Sequence, residues 1–201
     1  MFYERLAMSG WEVLPARGFR AAPWRNGGGI THEIAQGLLP GGPEADWHWR
    51  LSLAEIASDG PFSAFPGVDR LLTVLSGGGI DLAVGSGAPR RLMPGEDIDF
   101  PGEAEVACRL VSGPTRDLNL MVDRRVARLA PGRGAASIRA EDGDIAVLYA
   151  VEEVWLQAET GTVVIAAGDA AIGRGPLSAE MRSGRAIWAR VEPRGQERRT
   201  A

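Results

Sequence analysis

The chain has one cysteine, two histidines and no lysine among its 201 residues, and no apolar run of membrane length. Each of these shortages excludes something. A single thiol, Cys108, rules out an intramolecular disulfide. In the run Val106-Ala107-Cys108-Arg109-Leu110 it reads as a buried strand thiol. It also has no basic neighbour in sequence to make it a nucleophile. His32 and His48 are too few and too far apart to build a His-rich metal site without recruiting carboxylates. No metal and no cofactor are therefore expected. All 22 basic residues are arginine, which reflects GC-rich coding and carries no functional reading. A formal charge of -4 leaves no basic footprint, so nucleic acid is not an expected partner. No stretch approaches the roughly 20 apolar residues of a membrane span, and the opening MFYERLAMSG lacks the apolar core of a secretory leader. The expectation is a soluble, cytoplasmic protein with no membrane partner. There is no P-loop, no G-x-G-x-x-G opening a helix and no G-x-S-x-G elbow around Ser63.

Helical periodicity is equally scarce, and period-2 alternation takes its place. Trp49, Leu51 and Leu53 alternate with Arg50, Ser52 and Ala54. Ile80 to Val84, Val106 to Leu110 and Leu118 to Val122 behave likewise. Further strands rich in Val, Ile and Trp are expected over Ile145 to Leu156, Thr162 to Ala166 and Arg185 to Val191. Gly and Pro punctuate the chain every ~8 to 12 residues, as in a sandwich or barrel. The fold class is all-β.

The segment from Leu71 resembles the segment from Val147. Each has a strand pair and then an apolar-Gly-carboxylate turn, Met93-Pro94-Gly95-Glu96 in one and Ala166-Ala167-Gly168-Asp169 in the other. The first unit ends at Asp117-Leu118-Asn119-Leu120-Met121 and the second at Ala186-Ile187-Trp188-Ala189-Arg190. Two β units in tandem are implied, with a linker near Arg124 to Gly143.

The densest polar chemistry lies in Pro23 to Ile34, PWRNGGGITHEI. Three consecutive glycines are conformationally costly and permit close backbone approach. Flanked by Trp24, Arg25, Asn26, Thr31 and Glu33, they read as a loop-borne binding element, or else as a tight turn whose bulky neighbours pack elsewhere.

These residues carry a family resemblance. Pro23 to Ile34, Trp49-Arg50-Leu51-Ser52-Leu53-Ala54-Glu55-Ile56, Gly60-Pro61-Phe62-Ser63-Ala64-Phe65-Pro66-Gly67-Val68-Asp69-Arg70, Phe100-Pro101-Gly102-Glu103 and Gly113-Pro114 with Asp117 to Met121 occur in the order of the HutD/Ves family. The resemblance runs over residues 11 to 125, with His32 a departure where a basic residue is the family's pattern. Past residue 125 only the architecture is similar. It implies a bicupin: two tandem cupin-like antiparallel β-barrels of the jelly-roll kind, one over residues 1–125 and one over 140–195. Metal-binding cupins carry a His-x-His pair, and Trp47-His48-Trp49 offers only one of the two. The resemblance also implies a link to histidine utilisation.

Alternate residues of a small barrel point inward. The polar face of Arg50 and Ser52 and that of Asp117, Asn119 and Met121 would then line an interior. Buried unpaired, such groups cost on the order of 2–7 kcal/mol each, so they must find partners in each other, water or a ligand. Arg50 offers a planar fork for a carboxylate; the alternative is a structural ion pair with Glu33 or Glu55. Glu33, Glu55 and Asp117 would hold that arginine or receive an amine-like group. Trp24 and Phe62 would wall the pocket beside Ser63 and Thr31, and Asn26 with the Gly27, Gly28 and Gly29 amides would receive an anionic or carbonyl oxygen. The expected function is a metal-free binder of a small carboxylate, of the formyl- or formimino-glutamate type, acting as sensor or regulator in histidine utilisation. The alternatives are a metal-free isomerase or hydrolase using Glu33, Glu55 and Arg50, and a stress-induced protein with no histidine link. Exposed sheet edges leave a homodimer open.

Overall fold

The computed structural model of the chain describes residues 10–24, 28–132 and 136–195. Its regular secondary structure is almost entirely strand. In chain order these are β1 (Trp11–Leu14), β2 (Arg20–Pro23), β3 (Gly29–Gly37), β4 (Trp49–Ile56), β5 (Gly60–Pro61), β6 (Val68–Gly77) and β7 (Ile80–Val84). Then come β8 (Arg90–Leu92), β9 (Asp97–Pro101), β10 (Val106–Leu110), β11 (Thr115–Asp123), β12 (Ala127–Pro131) and β13 (Ser137–Ala140). The last six are β14 (Ile145–Ala150), β15 (Val154–Ala158), β16 (Gly161–Ile165), β17 (Ala170–Arg174), β18 (Leu177–Ser183) and β19 (Ala186–Pro193). Among the described residues, no helix is long and apolar enough to cross a membrane.

The chain divides into two compact units, one over Phe19–Val126 and the other joining β1 to the chain from Ala127 onward. Within Phe19–Val126 a six-stranded sheet, β2-β3-β4-β11-β6-β9, faces a four-stranded one, β5-β10-β7-β8. Ile56, Leu72, Val74 and Phe100 from the first meet Ile80, Leu82, Leu92, Val106 and Cys108 around the second. The other unit has a five-stranded sheet, β1-β17-β14-β19-β12, and a four-stranded one, β13-β18-β15-β16. Its core gathers Trp11, Leu148, Leu156, Ile138 and Ile165. All strand pairs are antiparallel, and each unit is a two-sheet, cupin-like sandwich rather than a closed ladder.

Some sequence expectations are revised. The stretch 124–143 is no plain linker: it contains β12 and β13, whose short, Arg- and Ala-bearing strands hide the alternation. The run 145–156 is two strands broken at Val151–Glu153. The strand β1 pairs with β17, with Trp11 opposite Gly173, so residues 11–14 belong with the C-terminal half rather than with 1–125. A glycine there leaves room for the indole, because a Cβ on Gly173 would press on the Trp11 ring.

The internal repeat is legible strand by strand. The sheet order β11-β6-β9 in one unit recurs as β19-β14-β17 in the other, and β5-β10-β7-β8 recurs as β13-β18-β15-β16. The two turns match bond for bond. Gly95 N–H donates to Val74 O and Glu96 O accepts from Val74 N–H; Gly168 N–H donates to Ala150 O and Asp169 O accepts from Ala150 N–H. Both glycines need positive φ, +95° and +88°, and neither would have a Cβ neighbour within 4 Å. Gly95→Ala and Gly168→Ala should therefore carry backbone strain alone and lower stability by similar amounts, about 1–3 kcal/mol each. Urea denaturation checks this. A cost at one turn and none at the other would break the equivalence.

Candidate functional site

Antiparallel pairing sets which residues share a face, because directly opposed residues point the same way. On β11, Asp117, Asn119 and Met121 sit opposite Ala54, Ser52 and Arg50 of β4. On its other side the same three residues sit opposite Val74, Leu72 and Arg70 of β6. Thr31 and Glu33 of β3 continue the face beyond Ala54 and Ser52, and Phe100 of β9 lies opposite Arg70. This inward face, with Trp24 and the loop after β5, encloses a cavity of about 540 Å³. Its lining mixes Trp24, Phe62, Phe65 and Met121 with Thr31, Arg50, Ser52, Arg70, Asp117 and Asn119. The β6–β11 register shifts between Arg116 and Asp117, with Leu75 as the extra residue on β6.

The electrostatic centre is Arg70 with Asp117, at 5 % and 1 % exposure. The Arg70 guanidinium lies 5.4 Å from the Phe62 ring centre, 5.6 Å from Phe65 and 4.9 Å from Phe100. Its hydrogen bonds are long: Nε donates to Asn119 Oδ1 at 3.4 Å and one terminal nitrogen to Ser63 O at 3.4 Å. Burial lowers its pKa to about 10, against the opposing pull of Asp117, so the side chain stays cationic at neutral pH. Asp117 has neither carboxyl oxygen in a hydrogen bond of good geometry among the described residues. Burial pushes its pKa up to about 7, while Arg70 and the Asn119 side chain pull it down.

Arg50, at the cavity edge, is already engaged: its Nε meets Glu33 Oε2 at 3.2 Å, with both side chains about a quarter exposed or less. The structural ion pair thus exists, and Arg50 still lines the cavity. Trp24 forms a wall, held by its Nε1–H donating to Thr31 Oγ1 at 2.8 Å and by an edge contact with Phe62 at 6.3 Å. Gly29 is required by packing, since a Cβ there would collide with the Glu55 carbonyl and touch the Trp24 ring. Thr31 and Glu33 are on a strand, because β3 begins at Gly29, so the loop reading of Pro23–Ile34 does not hold for them. The Gly28 carbonyl accepts from Ala57 N–H. Asn26 and Gly27 lie outside the described residues.

Glu55 is a correction. It follows Ala54 on β4 and so faces away from the cavity, 3.4 Å from His32 Nε2 and 3.5 Å from Arg116. It neither holds Arg50 nor reaches the pocket. His48 is a structural strap: its Nδ1 accepts from Leu39 N–H and its Nε2–H donates to Pro43 O, both at 2.8 Å. Cys108 is a core thiol whose pKa burial pushes up to about 12. Among the described residues no group of three or more His, Cys, Asp or Glu stands close enough to hold a metal ion.

Arg70 was missed as a site residue by sequence reasoning. Its signal is a lone arginine at an inward position of RLLTVL, where the other inward residues, Leu72 and Val74, are apolar. A strand buried on both faces tolerates a charge only for a reason.

The HutD family pattern matches residues 16–188, most of the chain. The chain belongs to the HutD family. An uncharacterized 21.2 kDa protein from the hutC 3′ region of Pseudomonas putida is 36% identical over 159 residues, spanning 79% of this chain and 78% of that one. Protein Ves of Cronobacter sakazakii is 35% identical over 136 residues, 66% of this chain and 71% of that one. The structure of HutD from Pseudomonas fluorescens SBW25 superposes with a TM-score of 0.77 at 30% identity, covering 92% of this chain and 100% of that one. The Ylba protein of E. coli, at 9% identity and a TM-score of 0.65, shares the fold.

The raised pKa of Asp117 fixes a pH dependence of stability. An acid whose folded pKa of about 7 exceeds its unfolded value keeps its proton in the native state while the unfolded chain has lost it. Stability therefore falls as pH rises from about 4, the unfolded value, toward that folded value. Relative to Asp117→Ala, the wild type should lose up to about 1.4 kcal/mol per pH unit across this window. Denaturation of both proteins over a pH series measures it. A difference that stays flat would show the carboxyl titrating normally.

Proposed function

We propose that this HutD-family protein binds a small carboxylate-bearing metabolite in the Phe19–Val126 cavity and serves histidine utilisation as a sensor or regulator. One observation carries the reading: Arg70 is a buried cation with only two stretched hydrogen bonds. A desolvated guanidinium with spare N–H groups has a planar fork matched to a carboxylate. Three phenyl rings exclude water from it without neutralising it. Arg50 stands on the same face, two strands away across Met121. Two arginines on one cavity suit a dicarboxylate such as a formyl- or formimino-glutamate type compound. The naming of its relatives after the hut region supports the pathway assignment. A cavity of about 540 Å³ is of the size that takes ligands of that scale.

A second reading, a metal-free isomerase or hydrolase, is favoured by Asp117. A buried carboxyl with pKa about 7 is matched to general acid–base work at neutral pH. On this reading Asp117, rather than Glu55, is the acid–base group.

Thermal shift with glutarate and N-formylglutamate, followed by NMR of each mixture over time, tests both. At a hundred times its dissociation constant a ligand stabilises by about 2.7 kcal/mol. A shift with unchanged ligand supports the binder, and conversion supports the enzyme. Arg70→Met should abolish the shift and also lower the stability of the unliganded protein, because it leaves the Asp117 carboxyl buried without its counter-charge; circular dichroism of the variant separates lost binding from lost fold. Arg50→Ala should weaken binding and cost about 1 kcal/mol or less in stability, as for other part-exposed ion pairs. No shift with either compound, or full binding by Arg70→Met, would sink the carboxylate reading.

A further inference from the structure

The repeat that makes the two units equivalent also shows where their outer surfaces differ. Strand β8 of one unit corresponds to β16 of the other, and β7 to β15. The registers then place the cross-strand pair Asp81↔Arg91 where the other unit has Trp155↔Val164. Arg91 holds Asp81 through two hydrogen bonds on an exposed face, from Nε at 2.8 Å and from a terminal nitrogen at 2.9 Å. Trp155 and Val164 are exposed as well, at 49 % and 46 %, and stand side by side. The scaffold does not require them, because the equivalent pair in the other unit is ionic. Large apolar side chains grouped in water mark an interaction surface. Trp155 Nε1–H donates to Glu153 Oε1 at 3.0 Å, which holds the indole in place.

The backbone beside this pair is open too. Among the described residues β16, with the sequence GTVVI, is an edge strand of the sheet β13-β18-β15-β16. The two-residue turn Glu159-Thr160 makes Ala158 and Gly161 a hydrogen-bonded pair. By alternation Val163 and Ile165 also face β15, while Thr162 and Val164 turn N–H and C=O to the free side. Edge strands are ordinarily guarded by charge or proline. Among the described sheets β1, β2, β8, β9, β12 and β13 each carry Arg, Asp or Glu, and the short β5 ends in Pro61. Strand β16 has neither guard.

We propose that β16 and the Trp155–Val164 face are a dimer interface, in which a second copy of this chain pairs β16 with β16 across a two-fold axis. Antiparallel pairing centred on Val163 sets Thr162 of one copy opposite Val164 of the other, so the free backbone groups of both copies meet. Each outward row across the join then reads Trp155, Val164, Thr162 and Gln157, with no charge in it. A second copy is the occupant that this chemistry favours. An uncharged strand opposes itself without bringing like charges together, and one symmetric contact covers both open edges. The contact also closes, because the far edge strand β13 carries Arg139 and offers no second unguarded edge. Five residues a side make a small interface, so a reversible dimer with a micromolar dissociation constant is expected. The inference does not depend on what the cavity binds.

Sedimentation equilibrium of the whole chain, from micromolar to hundreds of micromolar, tests it. The wild type should pass from monomer to dimer over this range, with no larger species. The double variant Trp155→Asp, Val164→Arg rebuilds the other unit's ion pair at the equivalent position. It should keep its fold by circular dichroism and stay monomeric throughout. Thr162→Pro removes an N–H that faces the free side and none that bonds β15. It should weaken the dimer about 10-fold or more, since each dimer loses two hydrogen bonds, and it decides the matter if the double variant does not fold. Leu38→Ser, at an exposed apolar residue elsewhere, should change nothing. A wild type that stays monomeric would leave the edge to a strand of another protein and overturns the assignment. A dimer that survives both β16-face variants, or assembly beyond two copies, overturns it as well.

Discussion

Two opposite charges buried on adjacent strands, Arg70 on β6 and Asp117 on β11, constrain everything around them. Each alone would be costly in a sandwich interior, and their attraction offsets part of that cost. Neither is settled, however. The arginine is braced by phenyl rings and long bonds, and the carboxyl has no hydrogen bond of good geometry. Their titration follows from the same imbalance: desolvation moves the arginine down to about 10 and the acid up to about 7. The cation keeps its charge at neutral pH and the acid only part of it. The site is therefore net positive and short of acceptors around Arg70, while near Asp117 it is short of donors.

Duplication within one chain makes this more than a description. The two units share strand order and turn hydrogen bonds, so their differences isolate what the fold does not need. At the same register the second unit uses Ala146, Trp188 and Ala186. Trp188 sits so close to the backbone of Gly132 that a Cβ there would strike the indole. At these positions one unit carries an aromatic side chain packed against its core and the other lines a cavity with Asp117, Asn119 and Arg70, on equivalent scaffolds.

The fold was legible because alternation and turn chemistry are local. The apolar-Gly-carboxylate turns at Gly95 and Gly168 aligned the halves, and the alignment of Asp117–Met121 with Ala186–Arg190 is the one that the registers give. The boundary residues were less so. The strand Trp11–Leu14 joins the distant half through pairing with β17, a choice that no local pattern encodes. In the site, parity along β4 and β11 placed Arg50, Ser52, Asp117, Asn119 and Met121 on one face. The same parity rule applied to Glu55 puts it on the other face, and its closeness to Arg50 in sequence hid that. Arg70 escaped because its strand reads as apolar core, and only the cross-strand partners Met121 and Phe100 show what it faces.

The two arginines of the cavity answer differently to one chemical need, and the contrast ranks them. Arg50 has found a carboxylate within the protein, Glu33, in a part-exposed pair where solvent keeps the interaction weak. Arg70, farther inside, has found none: its nearest acid, Asp117, is held off as a neighbour rather than a hydrogen-bond partner. An internal carboxylate satisfies the arginine that water also reaches, and none satisfies the one that water does not. On the proposed reading an incoming carboxylate gains most at Arg70, where desolvation makes each charge-assisted hydrogen bond stronger, and Arg50 serves the outer end. The residue most conspicuous in the sequence is thus the accessory one, and the anchor is the arginine that the apolar strand conceals.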